Sequence, residues 1–319
     1  MKFLYFVIIF LFQTHNILCK DNLIKNEEFF SSETDYSRLI EIINKYKDQL
    51  AVSVVPIKND HTPFYYNKSV AFVSASMIKL LILCEFIDQI DHNNITLDMN
   101  YTYKEEDKVG GAGVIQTMEF GTNFTYDNLA LYMIKYSDNI ATNVLIDILG
   151  MDNINKKSKE LNLNETVLNR KMMNQTDKEN YMNAEDIEFI LKGIYYKSKE
   201  IGSADMCDRA ITYLKENDDN DAIVRGLPKG TIFAHKSGSL PNINIRHDGG
   251  IVLSGNKYII IILTTGFPKE ENADELMGNI SSIVYEIINN DNNDEKPNNY
   301  QCFDKCSLFN IFMILLILI

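Results

Sequence analysis

The chain has 319 residues, 45% hydrophobic and 11% aromatic, enough to bury a sizeable core in one large domain or two interlocked lobes. Its formal net charge of -13, with lysines scattered instead of gathered into a patch, argues against nucleic acid and anionic lipid as partners. Five cysteines and five dispersed histidines show no metal-ligand spacing.

Residues 1–19, within MKFLYFVIIFLFQTHNILCK, place a positive charge before an apolar run and then polar residues, the layout of a secretory signal. The run is short for a bilayer span, and Asn-Ile-Leu before Cys19 is a poor lipoprotein signal. Over 31–48, SSETDYSRLIEIINKYKD puts Ser/Thr starters ahead of apolar residues at helical spacing and predicts a helix. LAVSVVPI and PFYYNKSVAFV, separated by KNDHT, predict a two-stranded hairpin.

From Ser76 to about residue 220 helical patterns dominate, clearest in SMIKLLILCEFIDQI, TYDNLALYMIKYS and NAEDIEFILKGIYYKSK. Past RGLPKGT, the runs TIFAHKS, NIRHDGGIVLS and KYIIIILTTGF predict three strands, with SGNK as the turn between the last two. ADELMGNISSIVYEIINN predicts a closing helix. The expected fold is mixed α/β (α+β) with two lobes. Two early and three late strands form one five-stranded antiparallel sheet with flanking helices (31–75 and 225–292), interrupted by a helical lobe (76–224) in a domain spanning 31–292.

The end of the chain, 293–319, is a polar spacer followed by the apolar run SLFNIFMILLILI. With the leader, this is the pattern of a removable lipid-anchor signal, although no run of small residues marks an attachment site; a short membrane-associating tail is the rival reading. Both imply an extracytoplasmic, cell-surface protein. Cys302 and Cys306 beside the tail can pair with each other in an oxidising compartment. Seven Asn-x-Ser/Thr sequons, Asn67, Asn94, Asn100, Asn123, Asn164, Asn174 and Asn279, are compatible with a secretory route, but an Asn-rich chain produces several by chance.

Ser76 and Lys79 form a Ser-x-x-Lys at the change from strand to helix pattern. Alone this is weak, since Ser254 and Lys257 share the spacing in a turn. On a helix, positions three apart share a face, and a helix N-terminus favours an oxyanion. Lys79 can accept the Ser76 proton only with a depressed pKa, which burial or a second cation supplies. Lys236 in HKSGSL is such a cation, followed by Ser237, Gly238 and Ser239, where a glycine lets a substrate backbone approach and hydroxyls can bind a carboxylate. In YSDNIATNVLID, Ser137 can pass a proton to a leaving nitrogen, and Asn139 can bind a substrate amide or hold Lys79. Each fragment alone has an ordinary explanation as a cap, turn or strand exit.

In this order, Ser-x-x-Lys, Ser-Asp-Asn and Lys-Ser-Gly form a set. Over roughly 31–290 the chain resembles the class A β-lactamases and related penicillin-interacting serine hydrolases, and GGAGVIQ and HDGGIV are also similar to family sequence. The resemblance implies that Ser76 is acylated, Lys79 activates it, and Ser137 and Lys236 protonate the departing nitrogen. It further implies an oxyanion hole from the backbone N–H groups of Ser76 and Ser239, with Ser237, Ser239 and Arg246 holding the substrate carboxylate. The substrate would be a small β-lactam or an acyl-peptide or ester, the enzyme a monomer, and no metal or organic cofactor is implied.

One position departs from the family. In TVLNRKMMNQTDKENYMNAEDI the residue two after Arg170 is Met172, where the resemblance leads one to expect the deacylating glutamate. The loop's own acids, Asp177 and Glu179, are not at the matching place. Losing a general base costs about 10²–10⁴-fold, so slow release of the acyl group is expected. Three functions remain open at this stage: a β-lactamase-family hydrolase, a penicillin-binding-protein-like peptidase or esterase, and a sensor that acylates once or only binds.

Overall fold

A computed structural model of the protein describes residues 34–58 and 61–289. The expected leader at 1–19, the tail from 293 onward, and Cys19, Cys302 and Cys306 lie outside the described residues.

The first helix, α1 (Ser37–Ile43), buries Leu39 and Ile43. It is shorter than the 31–48 expected, because the backbone tightens into a 3-10 turn at Lys47–Gln49 and becomes extended at Leu50. β1 (Leu50–Pro56) follows. The run read as a single second strand is in fact two pieces, β2 (Phe64–Tyr66) and β3 (Phe72–Val73). Asn67 breaks it with a φ of 50°, a conformation Asn tolerates. Its side-chain amide donates to the carbonyls of Lys47 at 3.1 Å and Leu50 at 3.0 Å. β2 therefore stays on β1, while β3 leaves the main sheet to pair with residues 181–182.

The helical lobe is built on α2 (Lys79–Asp91), in which every residue from Lys79 to Ile87 is buried, the mark of a central helix. Around it come β4 (Asn100–Thr102) paired with β5 (Asn123–Thr125), then α3 (Tyr126–Lys135), α4 (Asn139–Leu149) and α5 (Met151–Glu160). β6 (Tyr181–Met182), α6 (Ala184–Tyr196) and α7 (Ala204–Lys215) complete the lobe. Short polar residues start these helices. A Thr125/Asn128 capping box opens α3, and Asn183 and Ser203 accept N–H bonds at the starts of α6 and α7.

The chain then returns as β7 (Phe233–Leu240), β8 (Ile245–Val252) and β9 (Tyr258–Thr265) and ends in α8 (Glu270–Asn289). The sheet order is β2-β1-β9-β8-β7, antiparallel throughout. Strand alternation divides its side chains between two cores. Leu50, Val52, Val54, Ile260 and Ile262 join Leu39 of α1 and Met277, Ile280 and Val284 of α8. Ala51, Val55, Ile259, Ile261 and Leu263 face the helical lobe. The sheet is thus covered on both faces, and β7 forms the edge that borders the helical lobe at Ser76.

No described helix is long and apolar enough to cross a membrane. Six of the seven sequon asparagines are exposed; Asn67 is half-buried, with its amide engaged as above.

Candidate active site

Ser76 lies in a 3-10 turn, Ala75–Ile78, which runs directly into α2. It therefore precedes the α-helix expected to begin with it, and the tighter turn carries it to the lobe boundary. The residue before it, Ala75, has a φ of 46°, and Ser137 has a φ of 50°. Such left-handed geometry is costly for residues with a Cβ and concentrates at functional sites.

The approach to Ser76 is tied down on both sides. Ser74 N–H donates to the Asn180 carbonyl at 2.8 Å. His247, fully buried in β8, has Nε2 2.9 Å from the Val73 carbonyl, and its Nδ1 lies 3.0 Å from the Thr264 nitrogen and 2.9 Å from the Arg246 carbonyl. Burial pushes the His247 pKa down to about 4, keeping the ring neutral. On the other side is Gly238 of β7: a Cβ there would sit 2.8 Å from the Ser76 backbone nitrogen. Only a glycine lets the strand close on this turn.

Lys79 is completely buried, and its Nζ donates to the Ser137 carbonyl at 2.6 Å, the Ser137 hydroxyl at 3.0 Å and Asn139 Oδ1 at 3.1 Å. Burial, and then the charge of Lys236, lower its pKa well below the usual lysine value, against an opposing pull from Asp138. Lys236 is likewise buried, with Nζ 2.7 Å from the Ser237 carbonyl. Burial brings it down to about 8, with Asp219 and Asp248 opposing. The sequence-based requirement for a second cation near Lys79 therefore has a counterpart in the fold.

Asp138, at the start of α4, organises this cluster, a role that the sequence did not single out. Its Oδ1 accepts from Ile140 and Ala141 N–H, both at 2.9 Å, while Oδ2 accepts from Val114 at 2.7 Å and Ile115 at 2.8 Å. The loop before it is thereby fastened to α4. Gly113, at φ 118°, leaves room for that carboxylate, which a Cβ would strike. Asn139 closes the same loop through its Nδ2 to the Gly110 carbonyl at 3.1 Å.

Met172 is buried. Asn143, one turn along α4 from Asn139, holds it by the backbone: Met172 N–H donates to Asn143 Oδ1 at 2.8 Å, and Asn143 Nδ2 donates to the Met172 carbonyl at 3.1 Å. Of the loop acids, Glu179 is taken by Arg170, with Nε and Nη2 at 3.0 and 2.6 Å from its Oε2, and Asp177 is exposed. Ser237 and Gly238 are buried and Ser239 is half-buried on β7. Arg246 is next to them across the ladder, paired in register with Ser239, but its guanidinium is bound to Asp219 and Asp274.

The geometry thus joins Lys79, Ser137 and Asn139 directly and packs Gly238 on the Ser76 turn. A family model described as the β-lactamase enzyme family matches residues 36–288. The chain belongs to that family. As a member of a serine-hydrolase family it is 24% identical over 250 residues to β-lactamase VEB-1 of Pseudomonas aeruginosa, covering 75% of this chain and 81% of the relative. The β-lactamase of Sphaerobacter thermophilus superposes with a TM-score of 0.74 at 22% identity, covering 80% of this chain and 98% of that one. A Leu-to-Glu variant of PBP-A, solved as its acyl-enzyme with penicillin G, superposes with a TM-score of 0.71 at 24% identity, over 78% and 94% of the two chains. The β-lactamase-family fold includes the five-stranded antiparallel sheet and eight α-helices described above.

Proposed function

We propose that the protein opens a β-lactam or a related acyl substrate through an ester on Ser76. The observation that carries this reading is the buried Lys79 amine, whose Nζ reaches both Ser137 Oγ and Asn139 Oδ1. With its pKa depressed, neutral Lys79 takes the proton of Ser76 as Oγ attacks the carbonyl carbon. The backbone N–H groups of Ser76 and Ser239 receive the oxyanion. As the C–N bond breaks, the departing nitrogen takes the Ser137 hydroxyl proton, which the Lys79 and Lys236 pair replaces. Asn139 orients the substrate amide, and Ser237, Gly238 and Ser239 line its path along β7.

Release of the acyl group is slow in this reading, because a buried thioether stands at position 172 and offers no base to a water. The same feature favours, as a second reading, an acylated penicillin-binding-like peptidase, esterase or sensor. The leader and tail fit a surface location, where a β-lactam or extracellular peptide would be met, with residues 31–292 as the catalytic domain. Intact-mass analysis after exposure to penicillin G tests the proposal. A penicilloyl adduct on Ser76 in the native chain, absent from Ser76→Ala, is expected; no adduct in the native chain would overturn it.

A further inference from the structure

Beyond the Lys236–Ser239 run, Ser239 and Arg246 line a cavity of about 430 Å³. Among the described residues its wall holds six carboxylates, Asp219 and Asp274 included, against the two guanidiniums of Arg225 and Arg246. The Arg246 side chain is only 6% exposed. Its Nη1 and Nη2 fork onto Asp219 at 2.7 and 3.0 Å, and Nε donates to Asp274 at 2.6 Å. Such a bidentate pair is the strong form of the Arg–carboxylate interaction. Burial alone would raise the Asp219 pKa, but hydrogen bonds and charge from Arg246, helped by a hydrogen bond from Ser237, hold it well below the usual carboxylate range. Asp219 therefore engages Arg246, one of the three groups from which a carboxylate subsite would be made.

A substrate carboxylate arriving here meets a guanidinium already neutralised by two partners and a wall of like charge, a juxtaposition that selects against an anion. Building on the acyl-enzyme reading above, we propose that Asp219 is a specificity-determining residue that withdraws Arg246 from anion recognition. The cleft then favours acyl substrates with an uncharged group over those with a carboxylate at its Ser239 end.

The test compares acylation rates of Ser76 by penicillin G and by its methyl ester, followed by intact mass, in the native chain and in Asp219→Asn. The native chain should react faster with the ester, and Asp219→Asn should shift the acid-to-ester rate ratio toward the acid by about tenfold, the factor that corresponds to 1.4 kcal/mol. A native chain that prefers the acid overturns the role of Asp219 without need of the variant. So does an unchanged ratio in a variant that melts like the native chain. Absence of a Ser76 adduct with either compound overturns the acyl-enzyme reading itself, a result distinct from a preference for the acid.

Discussion

The side chain of Asn143 grips Met172 by both its N–H and its carbonyl, at 2.8 and 3.1 Å. The backbone of this position is therefore fixed by α4 while its side chain supplies no base. Met172→Glu should keep that backbone grip and place a carboxylate at the same point. We expect deacylation of the Ser76 ester to accelerate on the order of 10²-fold, measured as decay of the adduct by mass. An unchanged decay rate would show that release is limited elsewhere.

Lys79 has its pKa well below the ordinary lysine value through burial and the nearby Lys236 charge. The acylation rate should consequently rise with pH through an ionisation far below 10.5 and be flat above it. Lys79→Met should remove that limb and slow acylation by about 10²–10⁴-fold. A rate that keeps climbing through pH 10 in the native chain contradicts Lys79 as the base.

His247 gives a stability prediction of definite sign. Its folded pKa, about 4, lies below the 6.5 of the free side chain, so between these values the unfolded chain binds the extra proton. The stability due to the neutral ring is thus complete above pH 6.5 and is lost as pH falls toward 4, by about 3 kcal/mol in all. His247→Gln should flatten this part of the denaturant-midpoint profile. Because Nε2 also meets the Val73 carbonyl, at 2.9 Å, the variant should acylate more slowly at neutral pH, where the ionisation plays no part. A profile as steep as that of the native chain would place the acid sensitivity in another group.

Much of this was legible before the fold was known. A continuous β-branched run such as KYIIIILTTGF predicts a strand buried on both faces, and its alternate residues enter two cores; Ser137, singled out in the sequence, meets Lys79. Local pattern could not show that Asn67 splits a strand, since that depends on carbonyls of Lys47 and Leu50. Nor could it show Asp219 on Arg246, a pairing 27 residues apart. His247 and Asn143 were overlooked for the same reason: their partners, Val73 and Met172, are distant in sequence. Asn143 alone left a trace, four residues after Asn139 and so on the same helical face.

Gly238 is a sharper test of the cleft than its small size suggests. An added methyl group at 2.8 Å from the Ser76 nitrogen and 3.1 Å from that of Met77 must push β7 away from the turn. Gly238→Ala should cut acylation by about 10²-fold, the scale of one lost oxyanion donor. Native-like acylation in the variant would show that this contact does not shape the site.

The most direct measurement of the whole account is the pre-steady-state time course of a chromogenic β-lactam mixed in excess with the purified catalytic domain. The account predicts a burst of one product equivalent per enzyme, a Ser76 adduct that persists through the slow phase, and loss of both in Ser76→Ala. Linear product formation without a burst or an adduct would contradict it.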